Sequence, residues 1–98
     1  MNDVDVVRVE DRARYELLID GALAGVAEFR LRSGRIVFTH TEIAGAYEGQ
    51  GLGTTLAREA LADAAARGEV IVPVCPFIGA YLRRHTVPGA SVDWPESA

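Results

Sequence analysis

The sequence predicts an α/β chain of the α+β kind: an antiparallel strand meander, then a helix, a strand returning parallel to the fourth, and a second helix. Three observations carry this. Strand-forming stretches separated by turn pairs fill residues 4–43, and the alternating run Gly49-Gln50-Gly51-Leu52-Gly53 feeds an alanine-rich segment. A short apolar run, Val70-Ile71-Val72-Pro73-Val74, then stops at Cys75-Pro76, a helix-start pair.

Taken in order, Val4–Val9 is rich in valine and interleaved with charge, which suits an edge strand. Asp11-Arg12-Ala13 reads as a turn, and Arg14–Asp20 puts Tyr15, Leu17 and Ile19 on one face with Leu18 opposite. Asp20-Gly21 is a turn pair. The third strand, Leu23–Arg32, sets Ala27, Phe29 and Leu31 against Val26 and Glu28, and Ser33-Gly34 invites a hairpin. Arg35–Ile43 follows, and its second half places His40 and Glu42 on one face and Thr39, Thr41 and Ile43 on the other. Polar alternation of this kind belongs to a solvated edge or to the wall of a cleft.

Leu52–Arg67 has the spacing of an amphipathic helix, with Leu52, Leu56, Ala60, Leu61 and Ala64 on one side and Gly68 as its C′ residue. In the next strand Pro73 cannot donate to a ladder, so the strand is expected at an edge there or splaying from its neighbour. Residues 75–85 read as a shorter helix with Pro76 at its start and Arg83, Arg84 and His85 at its end. Val87-Pro88-Gly89 is expected to end regular structure, leaving a tail from about residue 89 in which Trp94 has no assignable place. The whole of residues 1–98 reads as one domain.

Composition narrows the function. Of 98 residues 49% are apolar, enough for a core without disulfide staples, and one cysteine rules out an internal disulfide framework. Two distant histidines offer no metal-ligand cluster, so no metal is expected. A net charge of -4 argues against a nucleic-acid surface and fits a cationic small substrate better. The acidic start Met1-Asn2-Asp3-Val4-Asp5 and the lack of a long apolar run give a soluble, cytoplasmic expectation, with no membrane partner.

The glycine loop is the strongest chemical feature. Glycines without Cβ atoms, followed by a helix N-terminus, form an anion cradle. They also serve tight strand-to-helix turns. The loop lacks the Gly-Lys-Ser/Thr of a P-loop and the spacing of the dinucleotide fingerprint. Cys75 at the start of the second helix is either a thiol activated by the helix N-terminus or a small buried hydrophobe. Tyr81 is either a core tyrosine or a general acid. Arg83, Arg84 and His85 match the helix dipole and are also available to a phosphate.

The strand, glycine loop and long helix together resemble the acetyl-coenzyme A binding core of the GCN5-related N-acetyltransferase (GNAT) superfamily. His40-Thr41-Glu42-Ile43, Glu48-Gly49-Gln50-Gly51-Leu52-Gly53 and Pro73-Val74-Cys75-Pro76-Phe77-Ile78, with Tyr81 and His85, resemble its very small single-domain members across roughly residues 5–88. The resemblance implies a minimal GNAT-like fold and an acetyl-CoA-dependent acyltransferase acting on a primary amine. It implies cofactor contacts from Glu42, Ile43 and Ala44 and from Gly49, Gln50, Gly51, Leu52, Gly53 and Thr54. It further implies catalytic roles for Cys75 beside the reactive sulfur, for Tyr81 as the acid to the departing thiolate, and for Glu42 or His40 as base. Acetylation of Cys75 is the covalent variant. Glu48 stands where the superfamily has Gln or Arg, and the two helices that shape the acceptor site in larger members are missing. An open acceptor side, or one completed by a second copy or a partner protein, follows. The alternative is a non-catalytic acyl-CoA-binding module.

Overall fold

The computed structural model describes residues 3–95. Its strands are β1 (Val4–Val9), β2 (Arg14–Ile19), β3 (Ala22–Arg32), β4 (Arg35–Ile43), β5 (Val70–Pro73) and β6 (Ser91–Val92), and its helices are α1 (Leu52–Ala66) and α2 (Pro76–Arg84). They form one sheet in the order β1-β2-β3-β4-β5-β6, antiparallel through β4 and parallel from β4 to β5 and β6. This is the meander and crossover that the turn pairs predict. Asp20-Gly21 and Ser33-Gly34 both take positive φ, at 50° and 84° and at 47° and 80°, the backbone of two-residue hairpins whose twist matches the strands.

One apolar cluster joins Tyr15, Leu17, Phe29, Ile36 and Phe38 of the sheet to Leu56, Ala57, Ala60 and Leu61 of α1 and Ile78 of α2. Both helices therefore pack on one face. The other face carries no helix among the described residues, and Leu18, Val26, Val37 and Val72 there are only half-buried. Leu31, expected in the core, is 48% exposed: β2 begins at Arg14, opposite Glu28, so β3 has no β2 neighbour at Leu31.

Two features depart from the sequence reading. The register between β3 and β4 slips by one residue, since Phe29 pairs with Phe38 but Glu28 with His40. Thr39 is the extra residue of a β-bulge. It reverses the facing of everything after it, so Ile36 and Phe38 point to the core while His40 and Glu42, also even-numbered, point to the open face. The second is β6. Regular structure does not end at Gly89: Ser91 and Val92 pair parallel to Val70 and Ile71. Asp93 N donates to Ile71 O at 2.8 Å, and an Arg35–Asp93 ion pair ties the segment to β4. Trp94 is held by α2, with the Arg83 guanidinium 4.6 Å from its ring centre.

A polar cluster locks β1 to the helix layer. The Arg8 side chain, 4% exposed, donates to both carboxylate oxygens of Glu69 at 2.7 and 2.8 Å and to Tyr15 Oη at 3.1 Å. Tyr15 Oη in turn donates to Asp63 at 2.6 Å, and Arg67 reaches the same carboxylate at 2.7 Å. Hydrogen bonding to Glu69 raises Arg8 above its usual value, and burial followed by the Asp63 contact raises Tyr15.

Candidate functional site

The site is built where the sheet parts. β4 and β5 pair from Arg35 and Val70 to Phe38 and Pro73, and no further. Val70 N donates to Gly34 O on the β4 side and Ile71 O accepts from Asp93 on the β6 side, so alternation turns the Pro73 nitrogen towards β6. β6 pairs only with Val70 and Ile71, and the missing N–H of Pro73 costs no ladder bond there. Val74 N then folds back onto Val72 O at 3.1 Å, and Cys75 N closes the contact on Phe38 O at 2.8 Å. Beyond that point β4 continues alone, paired only with β3.

The free edge has a definite polarity. Ala44 N donates to Ala24 O at 2.8 Å, so alternation directs the backbone groups of Thr41 and Ile43 into the gap and those of Glu42 towards β3. Of the expected strand contacts, Ile43 thus offers its main chain to the gap, while the main chain of Glu42 and the N–H of Ala44 serve the ladder. Thr41, which the sequence reading placed on a face but gave no role, is the second residue presented.

At the end of β4 the chain makes a 3-10 turn at Gly45–Tyr47 and an extended step at Glu48 before the glycine loop. Gly49 and Gly51 have φ of 81° and 75°, and nothing stands within 4 Å of where a Cβ would lie on either. Gly51 is the N-cap of α1, and no side chain caps that helix. The N–H groups from Gly49 to Thr54, those of Gln50, Leu52 and Gly53 included, have no backbone acceptor among the described residues. Donors left free at a helix N-terminus, beside residues in left-handed conformation, form an anion-binding concavity. Gly53 is glycine for another reason. A Cβ there would lie 2.9 Å from Phe77 Cζ, so the residue lets α2 close on the start of α1.

The four candidate catalytic side chains do not form one cluster. Cys75 is the N-cap of α2 with Pro76 next to it, is only 3% exposed, and places its Sγ 3.4 Å from Thr41 Oγ1 across the gap. Tyr81 is half-buried, stacks on His85 with ring centres 4.4 Å apart, and lines a groove of about 90 Å³ with Thr54, Phe77 and Arg84. His40 Nε2 and Glu42 Oε1 are 3.0 Å apart on the open face, the side away from Cys75. The gap in the sheet lies between these groups: loop and helix N-terminus at its end, Cys75 and Thr41 on the core side, the His40–Glu42 pair on the open side. Arg83 is taken up by Trp94, leaving Arg84 and His85 at the groove.

No group of His, Cys, Asp and Glu able to hold a metal ion is present among the described residues, and no described helix is long and apolar enough to cross a membrane. No curated protein matches the chain closely enough to name a relative. A family model described as GCN5-related N-acetyl-transferase matches residues 14–89, a span that takes in the parted strands, the glycine loop, Cys75 and Tyr81. The chain belongs to the GCN5-related N-acetyltransferase family.

Proposed function

We propose that the protein transfers an acetyl group from acetyl-CoA to a primary amine. The observation that carries this reading is the alignment of two features of one strand: β4 loses its partner after Phe38 and then runs directly into the uncapped glycine loop. The open space over Gly49 and Gly51 and the free N–H groups up to Thr54 suit a pyrophosphate. The free edge at Thr41 and Ile43 suits an extended amide-bearing arm, by the same hydrogen bonding as an added strand.

Acetyl-CoA supplies an acetyl group activated as a thioester. The N–H groups of Thr41 and Ile43 are the donors available to an oxyanion in the gap. Glu42, bonded to His40, takes the proton of an amine arriving from the open face, directly or through water. Tyr81 on α2 returns a proton to the departing thiolate. Cys75 lines the gap, and its burial favours direct transfer over a covalent acetyl-cysteine. A lone thiol suits a reducing cytoplasm.

The helix-free sheet face gives weight to a second reading, an acyl-CoA-binding module whose acceptor side is closed by a second copy or a partner. Thermal-shift titration with acetyl-CoA, followed by thiol release across an amine panel, separates the two. Stabilisation with amine-dependent release supports transfer, and stabilisation without release supports the module. Cys75→Ala is expected to keep turnover and ternary-complex kinetics. Loss of turnover with a ping-pong pattern in the parent protein would instead establish the covalent route.

A further inference from the structure

The gap beside β4 is a wedge, and the direction of β4 decides which end of a donor meets its point. The strands are joined as far as Phe38 and Pro73 and part from there towards the glycine loop. A ligand anchored by its pyrophosphate at the loop lays its arm back along the free edge, with the thioester foremost. A thioester is planar, with three substituents on its carbonyl carbon. With the oxygen on the N–H of Thr41 and the sulfur on the side of the loop, the third substituent, the acyl chain, runs on into the point of the wedge.

That point is closed by two contacts. Cys75 N donates to Phe38 O at 2.8 Å, and Cys75 Sγ stands 3.4 Å from Thr41 Oγ1, bridging the parted chains on the core side. Neither residue is free to move aside. Cys75 is packed in the core cluster, and its main chain is held at both ends, because its carbonyl also accepts from Gly79 N at 3.0 Å as α2 begins. Thr41 is β-branched, with few side-chain conformations open to it, and is fixed in register opposite Ala27 of β3.

From this we infer that the Thr41–Cys75 contact is an acyl-length stop, which accepts the two carbons of an acetyl group and turns away longer donors. The inference rests on the acetyl-transfer reading above and adds to it the residues that choose the donor. The step is the same for every acyl group: the N–C bond forms, the C–S bond breaks, the amine proton passes to the base and the thiolate is protonated. Only the room ahead of the carbonyl differs. A further methylene must push Cys75 into a close-packed core or bend out to the open face, across the path of the amine.

The test measures kcat/KM for acetyl-, propionyl- and butyryl-CoA with one amine, and Kd for the same donors without amine. It is run on the parent protein, Cys75→Ala and Thr41→Ala. In the parent, acetyl-CoA is expected to exceed propionyl-CoA by about tenfold or more in kcat/KM, the scale on which a fitted pocket reads one methylene, with Kd in the same order. Either substitution opens the point of the wedge and should bring the acetyl-to-propionyl ratio to about two or less. Each ratio is taken within one variant, and a thermal shift with coenzyme A verifies that each variant is folded. Equal use of acetyl- and propionyl-CoA by the parent, or an unchanged ratio in either variant, overturns the inference alone. Absence of binding or of transfer with every donor overturns the underlying reading as well.

Discussion

Tyr81→Phe is expected to lower kcat about 10²-fold while leaving acetyl-CoA binding nearly unchanged, the signature of a lost general acid. Phe keeps the ring that stacks on His85 and walls the groove with Thr54 and Phe77, so only the hydroxyl is removed. Steady-state kinetics measures the effect, and the donor thiol provides a second reading. An acetyl thioester of a more acidic thiol leaves without help, and should recover much of the lost rate in the variant but gain little in the parent. An unchanged kcat would reduce Tyr81 to a packing residue.

Arg8→Ala is expected to destabilise the fold by about 3 kcal/mol, the cost of leaving a partly buried carboxylate without its cation. Arg8 is 4% exposed and its Glu69 partner 17%, and its guanidinium also lies 5.0 Å from the Phe29 ring centre. The substitution thus removes a two-point ion pair, a donor to Tyr15 and packing at once. Urea unfolding monitored by circular dichroism measures it, and a loss below about 0.5 kcal/mol would place Arg8 with ordinary surface residues. The same cluster sets the acid limb of stability. Burial pushes the Asp63 carboxyl up, but hydrogen bonds from Tyr15 and Arg67 outweigh it and hold the group below its usual value. Hydrogen bonding from Arg14, against burial, does the same for Glu16. Each of these groups releases its proton more readily in the folded chain than in the unfolded one. Their contribution is therefore complete above the ordinary carboxylate range and is lost as pH falls through roughly 4 towards the folded values.

How far the sequence foretold this molecule depended on the range of the interactions involved. Asp20-Gly21 and Ser33-Gly34 specify their hairpins within two residues, and Gly68, with φ of 74°, closes α1 where a C′ glycine is expected. Pro76 likewise marks the start of α2 through the constraint on its own backbone, while Pro73 sits where β5 has no β6 partner to donate to. The Thr39 bulge has no such local mark. It arises because Phe29 and Phe38 must both face the core while Thr41 reaches across to Cys75, a condition set by residues on three elements. β6 is too short for any periodicity to register, and its bonds are made to β5. Gly53 read only as part of a loop that is an anion cradle or a tight turn, because Phe77 comes against it only after the crossover. The open-face cavity walled by Arg14, Glu28 and Glu42 belongs to this class too, since these residues sit on three strands and only register makes them neighbours.

The central claim is that the gap beside β4 and the glycine loop after it hold one ligand, acetyl-CoA. Amide NMR of the protein titrated with acetyl-CoA tests this residue by residue. The predicted result is a single saturable set of shifts covering Gly49–Thr54 together with Thr41, Ile43 and Cys75. Shifts confined to a different surface, or none at millimolar acetyl-CoA, would contradict it.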